Sequence, residues 1–71
     1  MDLTQAQIEK EYTIKQVSTT DEELNSFLFS LGCYSGQTIT VINKKRSGLV
    51  VAIKQARYNI DNNVANAIIV E

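Results

Sequence analysis

Leu31-Gly32-Cys33-Tyr34-Ser35-Gly36 joins a short amphipathic helix to a β-strand through two glycines four residues apart. Upstream of it the sequence reads as a capped helix. Downstream it reads as short strands with almost no second helix. One helix feeding a small all-β unit through such an elbow admits few folds.

The helix begins at Thr20-Asp21-Glu22-Glu23. Thr20 can accept from the backbone N–H of Glu23, and the Glu23 side chain can reach back to the N–H of Thr20, which makes a capping box. The carboxylates of this first turn oppose the positive helix end. Leu24, Phe27, Leu28 and Leu31 fall at helical spacing and define one apolar stripe. Gly32 supplies the left-handed residue that commonly ends a helix. The spacing predicts a helix over Asp21 to Leu31, with Phe29 well off the stripe. Before it, Tyr12 to Val17 starts with the alternation of a half-buried strand, Tyr12 and Ile14 sharing a face. Val17 breaks the period, which predicts a bulge or a strand end near Gln16. Residues 1–10 are weakly periodic and read as a turn or short strand that tucks Leu3 and Ala6 onto the core.

After the elbow, Gln37 to Asn43 reads as a strand with Ile39 and Val41 on one face. Lys44-Lys45-Arg46-Ser47-Gly48 is polar and ends in glycine, as a hairpin turn should. Leu49 to Lys54 returns with Leu49, Val51 and Ile53 on one face. Gln55 to Ile60 alternates again, with Tyr58 and Ile60 on the apolar side, although neither glycine nor proline marks the junction at Gln55. Asp61-Asn62-Asn63-Val64-Ala65 offers a cap and one short turn of 3₁₀ character. Ala67 to Val70 closes the chain as a strand with Ile68 and Val70 inward. Five short strands in 71 residues cannot build a two-sheet sandwich. They can build a mainly β, strongly bent sheet that closes as a small SH3-like barrel, with one α-helix after the first strand.

A chain of 71 residues is one domain, residues 1–71, with one core and little material for a catalytic cleft. The net charge of −1 draws the whole molecule neither to nucleic acid nor to an anionic membrane. No apolar run approaches the ~20 residues of a membrane-spanning helix, and the N-terminus lacks a signal-peptide pattern, so a cytoplasmic domain is expected.

The chemistry-bearing residues are few. The chain has no histidine, and Cys33 is its only cysteine. Cys33 has no histidine to activate it, which leaves a thiol-dependent activity there only a competing reading, and no metal cage of cysteines can form. A thiol after Gly32 reads as a small buried apolar residue. Asp21, Glu22 and Glu23 read as helix capping rather than as metal ligands. Gly32, Gly36 and Gly48 match no phosphate-binding fingerprint. Lys44, Lys45 and Arg46 form either a solvated hairpin tip or a contact for an acidic partner. Phe29 and Tyr34 either cap the open end of the core or present an exposed partner surface. No catalytic, cofactor or metal residue is expected.

These residues carry a family resemblance along essentially the whole chain. Tyr12-x-Ile14, the helix end Leu28-Phe29-Ser30-Leu31-Gly32, the second glycine Gly36, the alternation Ile39/Val41 and the closing Ile60, Ala65, Ile68 and Val70 resemble the FeoA family of ferrous iron transport proteins. The chain departs from the family pattern at the elbow, where Ser35 rather than proline precedes Gly36, and at Ile8-Glu9, where the family often has Pro-Gly. It departs again in the basic hairpin Lys44 to Gly48 and at Gln55, where glycine is common. The resemblance implies an SH3-like barrel in the cytoplasm and an accessory, regulatory role for FeoB, the membrane iron transporter. The partner would be the GTPase region of FeoB or its membrane domain, and only through that partner would the chain meet a membrane. Similar modules form the C-terminal domain of iron-dependent repressors, so a metal-sensing module, with transition metal ion binding, is the alternative. The residues expected to meet a partner are Leu28, Phe29, Leu31 and Tyr34, and, as a second candidate, Lys44, Lys45 and Arg46. Whether the chain self-associates is left open by the sequence; Val50 or Ile69 on an edge strand could pair with another copy.

Overall fold

The computed structural model describes residues 1–71. Strand β1, Glu11–Val17, buries Tyr12 and Ile14 in alternation. A register shift between Ile14 and Gln16 then breaks the period, where the sequence predicts it. The bulge divides the strand's duties. Residues Glu11 to Thr13 pair antiparallel with β2, and Ile14 to Val17 pair antiparallel with β5. One bent strand thus serves both halves of the sheet.

The remaining strands are β2 (Thr38–Lys45), β3 (Gly48–Ile53), β4 (Ala56–Asp61) and β5 (Ile68–Val70). The sheet order is β4-β3-β2-β1-β5. It bends around a core that includes Leu3, Ile14, Leu28, Ile39, Val41, Val51, Ile53, Ile68 and Val70. The inward residues of β2 and β3 are those the alternation names, because one face of each strand is the core face. Buried Tyr12 keeps its hydroxyl partnered, accepting from the N–H of Gln7 at 2.9 Å. At the N-terminus a 3₁₀ turn, Leu3–Gln5, is capped by Asp2, and both Leu3 and Ala6 are buried as expected.

The two hairpins differ in how they are made. Lys45 pairs with Gly48 across a two-residue turn, Arg46-Ser47, so Lys44 and Lys45 continue β2 and only Arg46 of the basic run lies in the turn. Ile53 pairs with Ala56 across Lys54-Gln55, whose φ values of 49° and 71° are both left-handed. That is the mirror-image turn a two-residue hairpin favours, made here without the glycine that would announce it. Strand β4 accordingly starts at Ala56 and not at Gln55.

Helix α1 spans Glu22–Ser30, one residue shorter at each end than its spacing predicts. Its cap is Asp21, not Thr20. The Asp21 carboxylate accepts from the N–H groups of Glu23 (3.0 Å) and Leu24 (3.1 Å), and the Thr19 hydroxyl accepts from the Asp21 N–H. A carboxylate at the positive helix end outcompetes a neutral hydroxyl one residue earlier. The apolar stripe is also narrower than predicted. Leu28 is buried and Leu24 and Leu31 are half-buried against the core, but Phe27 is 55% exposed. Helix α2, Asn62–Ala67, is a true α-helix longer than the single 3₁₀ turn expected, capped by Asp61 as the sequence indicates.

Val50 lies on β3, which is paired on both sides, so it is not an edge residue. The edges of the sheet are β4 and β5.

Candidate docking surface

The elbow is built from two consecutive backbone devices. Leu31 ends α1, Gly32 follows at φ 92°, and the N–H groups of Gly32 and Cys33 donate back to the carbonyls of Phe29 (3.0 Å) and Leu28 (2.9 Å). This paired closure is the Schellman motif, which needs a left-handed residue where Gly32 stands. Immediately afterwards the N–H of Gln37 donates to the carbonyl of Tyr34 at 3.1 Å, closing a turn with Gly36 at its third position, again at φ 92°. The elbow is then stitched to β1. The Gly36 N–H donates to the Ile14 carbonyl, and the Ile14 N–H to the Gln37 carbonyl, both at 2.8 Å.

Cys33 sits inside this closure, 1% exposed. Burial pushes its thiol up from 9.0 to about 11. At neutral pH it is a protonated thiol packed as an apolar side chain, as the sequence reading expects.

The same closure turns aromatic side chains outward. Phe29, on the outer side of α1, is 63% exposed and stacks on Tyr34 with ring centroids 4.6 Å apart and planes at 28°. Such offset stacking adds about 0.5–1.5 kcal/mol beyond area burial. Lys54, from the β3–β4 hairpin, crosses to this pair. Its Nζ donates to the Tyr34 hydroxyl at 3.2 Å and stands 5.3 Å from the ring centroid. Its aliphatic stem runs over Gly32, where an added Cβ would lie 3.0 Å from Lys54 Cδ. Phe29, Tyr34 and Lys54 therefore form one patch, and exposed Phe27, two residues before Phe29, stands on another side of the helix.

Of the residues the sequence singles out, Phe29 and Tyr34 meet, and Leu31 is half-buried at the helix end, packed against the core. Leu28 does not belong to the surface. It is 1% exposed and anchors α1 in the core. Lys44, Lys45 and Arg46 are exposed but lie at the far end of β3, across the Arg46-Ser47 turn. Lys44 Nζ donates to the Thr4 carbonyl at 3.3 Å, and the Arg46 carbonyl accepts from Asn62 Nδ2 at 2.9 Å. The two candidate surfaces are thus separate. Lys54 is the residue sequence reasoning missed. Twenty positions separate it from Tyr34, and only the hairpin at Lys54-Gln55 brings them together.

The sequence matches the FeoA domain family over residues 1–71, its full length. The chain belongs to the FeoA family. A search of curated proteins by sequence returns no match. Among solved structures, the Stenotrophomonas maltophilia FeoA, an SH3 domain protein complexed with zinc, superposes with a TM-score of 0.87 at 17% identity, covering 100% of this chain and 89% of that one. Iron(II) transport protein A from Clostridium thermocellum gives a TM-score of 0.89 at 22% identity, covering 100% of this chain and 44% of that one. A manganese-dependent transcriptional repressor in complex with manganese gives 0.89 at 20% identity, covering 100% of this chain and 35% of the repressor. The FeoA-family chain therefore has the SH3-like fold, and a domain of the same shape forms about a third of a metal-dependent repressor.

No helix of this FeoA domain is long and apolar enough to cross a membrane. No group of three or more Cys, Asp or Glu side chains comes together as a metal cluster.

Proposed function

We propose that this FeoA domain is a non-enzymatic docking module that regulates or stabilises the FeoB ferrous iron transporter from the cytoplasmic side. One observation supports the reading most. The exposed Phe29 ring stacks on half-buried Tyr34 at the elbow, and a lysine from the β3–β4 hairpin braces the pair. Aromatic side chains held in place before binding lose little entropy on contact and are enriched in interface centres. Leu31 contributes beside them, and the basic tip Lys44-Lys45-Arg46 is a second contact for an acidic surface.

The test is capture of the FeoB cytoplasmic region by the full chain. The double variant Phe29→Ala/Tyr34→Ala is expected to weaken capture at least about tenfold, the range of interface hot spots. Undiminished capture by that variant sinks the proposal for this surface. Iron uptake and GTP hydrolysis by FeoB, with and without the added chain, then separate regulation from stabilisation.

The likeness to a manganese-loaded repressor favours a second reading, a metal-sensing module. It predicts heat on titrating Fe(II) or Mn(II) into the isolated chain. Heat no greater than scattered carboxylates produce dismisses it.

A further inference from the structure

The sheet has two edges, and they are treated differently. The outer edge of β5 is covered. The Val70 N–H donates to the Met1 carbonyl at 2.8 Å, the Met1 ammonium donates to the Val70 carbonyl at 3.3 Å, and Asp2 bridges to Ile69. The outer edge of β4 has no strand beside it. Its open groups follow from the hairpin. Across a two-residue turn the flanking pair, Ile53 and Ala56, exchanges both backbone bonds, and hydrogen-bonded pairs then alternate along the ladder. Val51–Tyr58 and Leu49–Ile60 are therefore the next bonded pairs. The backbone groups of Arg57 and Asn59, and the N–H of Asp61, point away from β3. No turn or cap hydrogen bond takes them up. No bulge interrupts β4 and neither lysine nor proline stands on it, so its only guards are the charges of Arg57 and Asp61, which oppose their own kind in every register but one.

The side chains along this edge are self-complementary. Arg57, Asn59 and Asp61 are exposed and share one face. In an antiparallel pairing centred on Asn59, each Arg57 lies opposite the Asp61 of the second copy, and Asn59 lies opposite Asn59. Sliding the register so that Arg57 centres the pairing puts two arginines together, and centring it on Asp61 puts two carboxylates together. Like charges directly opposite are destabilising, and opposite charges favour the pair. Asp61 Oδ1 is held by the Val64 N–H at 2.8 Å, which leaves Oδ2 for a guanidinium. On the other face Tyr58 is half-buried and Ile60 is already buried in its own core, so the pairing rests on the main-chain bonds and the Arg57–Asp61 contacts.

We propose that β4 pairs antiparallel with β4 of a second copy about a twofold axis at Asn59, joining two five-stranded sheets into one. The interface is isologous and independent of the aromatic patch. It is small, so the dimer forms at high concentration and dissociates on dilution.

Sedimentation equilibrium of the full chain from micromolar to millimolar concentration tests this. The expected result is a mass rising toward the dimer, with slowed amide exchange at Asn59 as concentration rises. Asn59→Lys sets two lysines against each other across the axis and is expected to keep the chain monomeric. Asn59→Pro removes an N–H that β3 does not use and is expected to do the same with the native circular dichroism retained. Should Asn59→Pro lose that spectrum, Asn59→Lys at its exposed site carries the test alone. A wild-type chain monomeric at millimolar concentration, or a dimer that survives Asn59→Lys, overturns the proposal.

Discussion

Gly48 and Ile60 are in contact through their backbones alone. A Cβ on Gly48 would stand 2.0 Å from the Ile60 carbonyl oxygen and 2.8 Å from the Cα of Asp61. Both obstacles are main chain, held in the β3–β4 ladder by the pairing of Gly48 with Asp61 and of Leu49 with Ile60. No side-chain rotation relieves such a clash, so the strands must part. Gly48→Ala is expected to cost about 3 kcal/mol, the upper range of overpacking. A domain of this size has only about 4–10 kcal/mol in total, so thermal unfolding should show Tm lowered by about 15 °C or more. A Tm within a few degrees of wild type contradicts the close approach.

Leu28 and Phe27 are neighbours on α1 with opposite environments, 1% and 55% exposed. Leu28→Ala empties a core site and should cost about 2–5 kcal/mol. Phe27→Ala removes a largely solvated ring and should stay within about 0.5 kcal/mol of wild type. Urea unfolding of the two variants checks this. Equal losses would restore the wider stripe that helical spacing alone suggests.

The helix cap gives a similar contrast. Asp21 accepts from two N–H groups of the first turn, whereas no side-chain bond of this kind is made by Thr20. Asp21→Ala should destabilise by about 1 kcal/mol and Thr20→Ala by a few tenths at most. Thermal melts at neutral pH report the difference.

What the sequence reveals follows from how local each cause is. Ile39, Val41, Val51 and Ile53 are inward because strand alternation against a single core leaves them no other side. The elbow is legible because Gly32 and Gly36 stand at left-handed positions that few other residues occupy. The hairpin at Lys54-Gln55 is made of left-handed residues that carry no such signature, so only the length of the alternating runs points to it. The cap at Asp21 and the exposure of Phe27 depend on how α1 lies against the sheet, which helical periodicity does not contain. The aromatic patch is legible in half. Phe29 lies off the stripe in sequence, while Lys54 reaches Tyr34 only through the folded hairpin. The open edge at β4 is a property of sheet order, and no stretch of sequence states which strands end a sheet.

Cys33 offers a test by pH. Burial raises its thiol from 9.0 to about 11, so the folded state holds the proton that the unfolded chain has already released in that window. A raised folded value means the contribution is complete below the unfolded pKa and is lost as pH rises through the folded one. Wild-type stability should therefore decline between about pH 9 and 11 for this reason. Cys33→Ala removes the group, so the comparison isolates it. At neutral pH the variant should be less stable by about 1 kcal/mol, because it leaves a small cavity where the sulfur packed. That gap should narrow as the pH climbs, and alkylation of native Cys33 at neutral pH should be slow compared with a free thiol in the unfolded chain. A constant gap from pH 7 to 11, or native alkylation as fast as unfolded, would show that the thiol is neither desolvated nor enclosed.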